Sequence, residues 1–213
     1  MKKFFKTPDE CFELLTRVLC DVRPPRKADL MYLYGQTAFN QNSVFEKAAD
    51  SLKSSTTQRI GISNYEPSYG YEGGDVWFKE LVQRGIAQEA IVPIPQIEER
   101  FQHCTDSEAD GLVAFALEHG WDTIIITASP LHQVRAFVST VSAMRYAQAD
   151  LKLYSGVGHP VDWLQHIVHS QGTDLGIRKD LLVKGELAKL DKYHEKGDLL
   201  SARQIIDYLD QRG

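Results

Sequence analysis

His132 and Arg135 are the residues whose types and spacing most directly indicate chemistry. They lie three positions apart in Ser129-Pro-Leu-His-Gln-Val-Arg135, a segment that predicts a helix start with both side chains on one face. A histidine can transfer protons near neutral pH, and an arginine can bind a phosphate or carboxylate through two parallel hydrogen bonds. Since the unpaired N–H groups of a helix start also favour anions, the segment predicts half of an anion-binding site. A solvated histidine and an arginine paired with a neighbouring acid are the structural alternatives.

Glu108 is the carboxylate that could complete an acid/base pair with His132. It lies three residues after Thr105, at the predicted start of another helix, where it could serve as a general base or orient a ligand. The same Thr-x-x-Glu spacing is the capping-box pattern, in which the glutamate bonds back to the amide of the first residue. Both interpretations stay open at the level of sequence.

Five short apolar segments predict the strands that must position these residues. They are Ala28–Tyr34, Arg59–Ser63, Ala90–Ile94, Trp121–Thr127 and Asp150–Tyr154. Helices are predicted between them, and Ser129 and Pro130 are predicted as the N-cap and first residue of the helix after the fourth strand. Strands that alternate with helices form right-handed crossovers, so the sequence predicts an α/β three-layer sandwich with a mainly parallel five-stranded sheet.

The loops after these strands hold further candidate ligand-binding residues, because ligands of parallel sheets bind beyond the carboxyl ends of the strands. Together with Arg135, the candidates are Gly35, Gln36, Asn40, Ser63, Gly73, Gly74, Thr127, Ser129 and His159. The Gly73-Gly74 pair could form an anion nest or an ordinary turn. Three tyrosines of the second loop, Tyr65, Tyr69 and Tyr71, could stack on a base or sugar, or could only pack the loop.

The last fifty or so residues differ from the rest of the chain. Residues 161–213 predict a helical extension packed on the domain formed by residues 1–160. Its predicted helices cover Val161–His169, Lys179–Glu195 and Leu199–Gln211, with Asp198 as the N-cap of the last one.

Composition restricts the function classes. The 213 residues carry 24 basic and 29 acidic side chains, a net charge of −5, which argues against broad nucleic-acid binding but leaves a local anion site open. Cys11, Cys20 and Cys104 lack metal-binding spacing, so we expect no metal and reduced thiols in a cytoplasmic protein. A catalytic role for Cys104 is the less favoured alternative. No run approaches the roughly 20 apolar residues of a membrane span, so no membrane association is expected.

The segment Ile124-Ile-Ile-Thr-Ala-Ser-Pro-Leu-His-Gln-Val-Arg-Ala136 resembles the V-T-S-x-x-H-x-x-R-A segment of a family of domains of unknown function, that of YdcF, SanA and ElyC. Thr105-Asp-Ser-Glu108 is similar to the family's N-T-x-E-N segment, and Ala28–Gly35 to its first strand. The likeness covers residues 28–155. It implies a Rossmann-like fold and a cleft lined by Gly35, Glu108, His132 and Arg135. S-adenosylmethionine is implied as a candidate ligand, since one family member is reported to bind it.

Three functions compete at this level. The first is an enzyme acting on a phosphorylated or nucleotide-like small molecule, with Glu108 and His132 as the acid/base pair. The second is a binding module that holds a nucleotide or S-adenosylmethionine without chemistry. The third is an interaction protein whose helical tail docks an unknown protein partner.

Overall fold

The computed structural model describes residues 3–24, 26–95, 105–168, 175–181 and 185–212. Its centre is a sheet of five parallel strands: β1 (Leu30–Leu33), β2 (Ile60–Ser63), β3 (Ile91–Ile94), β4 (Thr123–Thr127) and β5 (Lys152–Ser155). The strand order is β3-β2-β1-β4-β5. The predicted α/β class and five-stranded parallel sheet are confirmed, and the architecture is that of a Rossmann-like three-layer sandwich.

The order of the strands places a topological switch point between β1 and β4. The chain builds β1, β2 and β3 outward in one direction and then returns to add β4 on the other side of β1. Loops leaving β1 and β4 therefore diverge to opposite faces of the sheet, and the crevice between them is the usual ligand position in open parallel sheets. Gly35 lies in the loop after β1, and His132 lies in the loop after β4.

Helices cover both faces of the sheet. The first five are α1 (Pro8–Leu19), α2 (Gln41–Lys53), α3 (Gly74–Gln83), α4 (Thr105–Glu118) and α5 (Gln133–Tyr146). Successive strand residues point to opposite faces, so Tyr32 and Ile126 pack with α4 and α5 in one core cluster. Leu33 and Ile125 lie in a second cluster with residues of α2 and α3. Every residue of β1 and β4 is buried, as the uninterrupted apolar runs predict.

Two helices begin before their first apolar residues. Helix α2 starts at Gln41, three residues before Val44, and α3 starts at Gly74, two residues before Val76. The first turns carry polar or glycine residues, which hide the helical period from a pattern of apolar residues. The polar loop after β1 consequently ends at Asn40.

The predicted helix over Val161–His169 is wrong. The described part of this segment contains β6 (His166–Val168), which pairs antiparallel with β7 (Leu175–Ile177). Ile167 is buried in this pairing, and strand pairing with a later segment overrides the local helical spacing.

The tail continues with α6 (Arg178–Leu181), α7 (Leu187–Lys196) and α8 (Ala202–Arg212). The predicted Lys179–Glu195 helix coincides with α6 and α7 in its described parts, and residues 182–184 lie outside the described residues. Asp198 is not the N-cap of α8. Instead the Ser201 hydroxyl accepts from the Gln204 N–H at 3.4 Å, and Gln204 Oε1 accepts from the Ser201 N–H at 2.9 Å, which is a capping box.

Apolar residues of α7 and α8 share the core cluster of α1 and α5, among them Leu190 and Ile205. Arg212 pairs with Asp21 at 2.6 Å and donates to the Leu153 carbonyl at 2.6 Å, which fixes α8 beside β5. None of the helices within the described ranges is long and apolar enough to cross a membrane.

Candidate functional site

Glu108 lies on α4 below the loop that leaves β1, with only 5% of its surface exposed. Its Oε1 accepts a hydrogen bond from the Gly35 N–H at 3.0 Å and from the Tyr32 hydroxyl at 3.2 Å. The carboxylate thus bonds to β1 and its exit loop rather than to the amide of Thr105. The capping-box interpretation of Glu108 is wrong.

Burial dominates the electrostatics of this carboxylate. Loss of water raises the pKa of Glu108 from its ordinary value of 4.5 to about 7, although the hydrogen bonds from Gly35 and Tyr32 oppose the rise. The charge of Arg135 and a hydrogen bond with Tyr65 also oppose the rise in pKa. Near neutral pH the group is therefore present in both protonation states, as a general acid or base requires.

A side chain at Gly35 would be crowded by its neighbours. A Cβ at this position would lie 3.3 Å from the Tyr65 hydroxyl, 3.3 Å from the Tyr71 ring and 3.4 Å from Glu108 Oε1. The absence of a side chain lets the carboxylate of Glu108 reach the main chain of the loop.

His132 points into the protein. Its Nδ1 lies 3.0 Å from Gln36 Nε2, and its Nε2 lies 3.1 Å from Thr105 Oγ1. The Gln36 nitrogen is identified by the carbonyl oxygens of Tyr34 and Gly35, which accept from it at 3.0 and 2.9 Å. An amide nitrogen cannot accept a hydrogen bond, so the contact with Gln36 leaves Nδ1 as the acceptor nitrogen of the ring.

The helix start differs from the prediction. Ser129 is not the N-cap of α5, since its hydroxyl donates to Gln36 Oε1 at 2.7 Å. A turn over residues 130–132 precedes the helix, and His132 occupies the N-cap position without a side-chain cap bond. Gln36 therefore joins the loop after β1 to the loop after β4, and it holds the His132 ring between them.

Arg135 already holds a carboxylate. Its Nε donates to Glu186 Oε2 at 2.7 Å, its Nη2 donates to Glu186 Oε1 at 3.4 Å, and its Nη1 donates to the Thr105 hydroxyl. The side chains of the pair are 9% and 8% exposed. Lys189 adds a second cation 2.9 Å from Glu186 Oε1. Arg135 thus pairs with an acid, as the structural alternative proposed, and it shares the Thr105 oxygen with His132.

Other candidate ligand contacts are occupied by the protein itself. Asn40 Oδ1 accepts from Arg178 Nε at 3.1 Å. The Gly74 N–H donates to the Tyr65 carbonyl at 3.0 Å, and a Cβ on Gly74 would lie 2.8 Å from the Ser63 carbonyl. The Gly73-Gly74 segment is therefore a closely packed turn rather than an open anion nest.

His159 does not share the site of Glu108. Its Nε2 lies 2.9 Å from Asp50 and its Nδ1 lies 3.2 Å from Glu46, both exposed carboxylates of α2. The prediction that His159 faces the cleft is wrong, because its loop turns the ring toward the outer surface of α2.

The polar residues at the ends of β2 and β4 are buried. The Ser63 carbonyl accepts from the Tyr71 hydroxyl at 2.7 Å, and Tyr71 also packs on Trp77 with ring centroids 5.0 Å apart, so this tyrosine packs the loop. Tyr69 is 56% exposed. Thr127 is fully buried, and its hydroxyl has no hydrogen-bond partner among the described residues.

Three contributors to the site were not assigned a role from sequence: Tyr32, Thr105 as a shared acceptor, and Glu186. Tyr32 could have been recognised from sequence because it carries a hydroxyl group among the leucine and methionine residues of β1. Glu186 had no local signal, because it lies 51 residues from Arg135.

Acidic residues gather elsewhere in the structure. A cleft of about 220 Å³ lies between α4, α5 and the turn after α7, lined by Asp106, Asp110, Asp198 and their neighbours. Within the described ranges, no group of three or more histidine, cysteine, aspartate or glutamate side chains could hold a metal ion. Cys104 and most of the loop after β3 lie outside the described residues.

Comparison of the chain with protein families, with curated proteins and with solved structures found no match. The functional proposal for this chain therefore rests on the geometry around Glu108 and His132.

Proposed function

We propose that the protein is an enzyme that binds a small phosphorylated or nucleotide-like molecule at the carboxyl ends of β1 and β4. This proposal rests on one observation: the side chains of Glu108 and His132 both contact the dipeptide Gly35-Gln36. Glu108 accepts from the main chain of Gly35, and His132 contacts the side chain of Gln36. This dipeptide lies at the topological switch point, where open parallel sheets bind their ligands.

In this proposal, Glu108 and His132 divide the proton transfers. A carboxyl group with a pKa of about 7 can give or take a proton at neutral pH, and the His132 imidazole can do the same once the ligand replaces Thr105 at its Nε2. Acid/base assistance of this kind suits hydrolysis or group transfer at a phosphorylated substrate. The resemblance of Ile124–Ala136 to the YdcF-like family supports the same position for the ligand and remains part of the proposal.

A binding module for a nucleotide or S-adenosylmethionine is the second candidate. It is favoured by one observation: both ring nitrogens of His132 and all three guanidinium nitrogens of Arg135 already contact protein groups. These hydrogen bonds hold the side chains in fixed positions, so the side chains can line a ligand site without exchanging protons.

For either candidate we place the protein in the cytosol, since Cys11 and Cys20 are free thiols.

A thermal-shift screen of phosphorylated small molecules, nucleotides and S-adenosylmethionine tests both candidates, with product analysis of every compound that stabilises the protein. For the enzyme, Glu108→Gln and His132→Ala each lower turnover by roughly 10²–10⁴-fold. His159→Ala is the matched control, because this histidine pairs with carboxylates on the surface of α2, and it keeps full turnover. Ligand binding without product identifies the binding module. Full turnover in both site variants refutes the acid/base roles.

A further inference from the structure

We propose that Glu186 is an internal substitute for the anionic group of the ligand, and that the ligand must displace it from Arg135 and Lys189. The contact is in this sense autoinhibitory: the tail of the chain fills the anion position of its own binding site. The inference rests on the proposed function for the position of the ligand, and it adds the chemical class of the group recognised there.

Two cations hold one carboxylate at this position. Arg135 contacts both oxygens of Glu186, at 2.7 and 3.4 Å, and Lys189 contacts Oε1 at 2.9 Å. A planar guanidinium that meets two oxygens of one group is the usual arrangement for recognising a carboxylate or a phosphate. The Glu186 side chain therefore occupies a site built for an oxyanion.

The anion site adjoins the acid/base pair. Thr105 Oγ1 accepts from Arg135 Nη1 and lies 3.1 Å from His132 Nε2. A single hydroxyl oxygen thus separates the cation that holds the carboxylate from the ring assigned to proton transfer. A ligand whose anionic group replaced Glu186 would extend directly toward His132.

Stability alone is a weak reason for this buried ion pair. Two charged side chains less than a tenth exposed lose most of their hydration, and the attraction between such groups often does no more than offset that loss. A buried pair beside a candidate active site is better explained by an arginine that must bind an anion during function and is neutralised when the ligand is absent.

The tail that carries Glu186 is also fastened over the loop after β1. Arg178, almost fully buried, donates to Asn40 Oδ1 at 3.1 Å, to the Phe39 carbonyl at 3.0 Å and to the carbonyl of Asp162. This anchor keeps the tail in place while the single side chain of Glu186 exchanges with a ligand. The exchange requires no separation of α8 from the core.

The ligand group predicted by this geometry is an oxyanion, either a phosphate monoester or a carboxylate. Inorganic phosphate and acetate serve as the two probes, compared with chloride at equal ionic strength, on wild type and on Glu186→Gln. We expect the variant to bind at least one of the two anions about tenfold more tightly than wild type, seen as a larger rise in Tm and a lower Kd by calorimetry. Phosphate preference identifies a phosphorylated ligand, and acetate preference identifies a carboxylate.

Asp21→Asn is the matched control. It removes the carboxylate from another buried pair, with Arg212, whose side chains are 4% and 5% exposed. We expect no gain in anion binding for this variant. An equal gain in both variants overturns the proposal, because any arginine deprived of its partner would then bind anions. No gain in Glu186→Gln also overturns it.

If Glu186→Gln does not fold in chloride, refolding in phosphate or acetate measures the same interaction. Recovery of folded protein only with an oxyanion supports the proposal, and failure in all three salts contradicts it. The result is separable from the proposed function. A wild-type protein that binds no phosphorylated molecule refutes that function, whereas the gain in Glu186→Gln is measured independently of any substrate.

Discussion

The substitution Glu108→Gln should change the way stability depends on pH. The glutamine amide keeps the shape of the carboxyl group, and its oxygen can still accept from Gly35 and Tyr32. It cannot ionise. The variant therefore resembles the protonated form of Glu108 at every pH, so its comparison with wild type isolates the free-energy cost of the buried charge.

The direction and size follow from the raised pKa. In the folded protein the pKa of Glu108 is about 7 against an ordinary value of 4.5, so between these pH values the folded state binds more protons than the unfolded state. The free energy of unfolding of wild type then falls as pH rises through this window, and the loss is complete above the folded pKa. At 1.36 kcal/mol per pKa unit, the wild type loses about 3 kcal/mol relative to the variant between pH 4 and pH 8.

Urea unfolding of both proteins at several pH values between 4 and 8 measures this difference. We expect the free energy of unfolding of Glu108→Gln, relative to wild type, to increase by about 3 kcal/mol across the range. Glu118→Gln, at an exposed position of the same helix, is the control and should show no such trend. A difference between Glu108→Gln and wild type that is constant with pH would refute the assignment of a raised pKa to this carboxyl group.

Three further substitutions test the packing around the site by urea unfolding. Gly35→Ala should lower the free energy of unfolding by roughly 1–3 kcal/mol, because its Cβ would crowd Tyr65 and Glu108; an unchanged value would show that the loop yields freely. Arg178→Met should cost roughly 2–4 kcal/mol through the lost bonds to Asn40 and its neighbours, and hydrogen exchange should rise in β6 and β7. Thr127→Val removes a buried hydroxyl without a described partner, so stability should be unchanged or rise by up to about 1 kcal/mol; a loss above 2 kcal/mol would indicate a hydrogen bond to this hydroxyl.

The sheet could be predicted from sequence because its information is local. The run Trp121–Thr127 contains enough consecutive β-branched residues to identify a buried strand, and the breaks after it indicate that a helix follows, although not at which residue it begins. Because strands and helices alternate, the connections between strands are right-handed crossovers, and the strands that they join are parallel. The same local rules failed at Val161–His169, where the conformation depends on pairing between β6 and β7.

Only the approximate position of the site could be predicted from the sequence. The meeting of His132 with the loop at Gly35 follows from the carboxyl ends of β1 and β4 lying side by side. The partner of each polar atom does not follow, since it depends on residues distant in the chain. Glu186 takes the guanidinium that the sequence assigns to a ligand, and Arg178 takes the side chain of Asn40.

The central claim is that a small anionic ligand binds at the junction of Gly35, His132 and Arg135. The most direct measurement is a crystal structure of the protein with the phosphorylated compound that stabilises it most in the thermal-shift screen. We expect density for the ligand within hydrogen-bond distance of His132, with its anionic group on Arg135 and Glu186 turned away. Density for the ligand at another site, with the Arg135–Glu186 pair intact, would contradict the account, as would the absence of any stabilising compound.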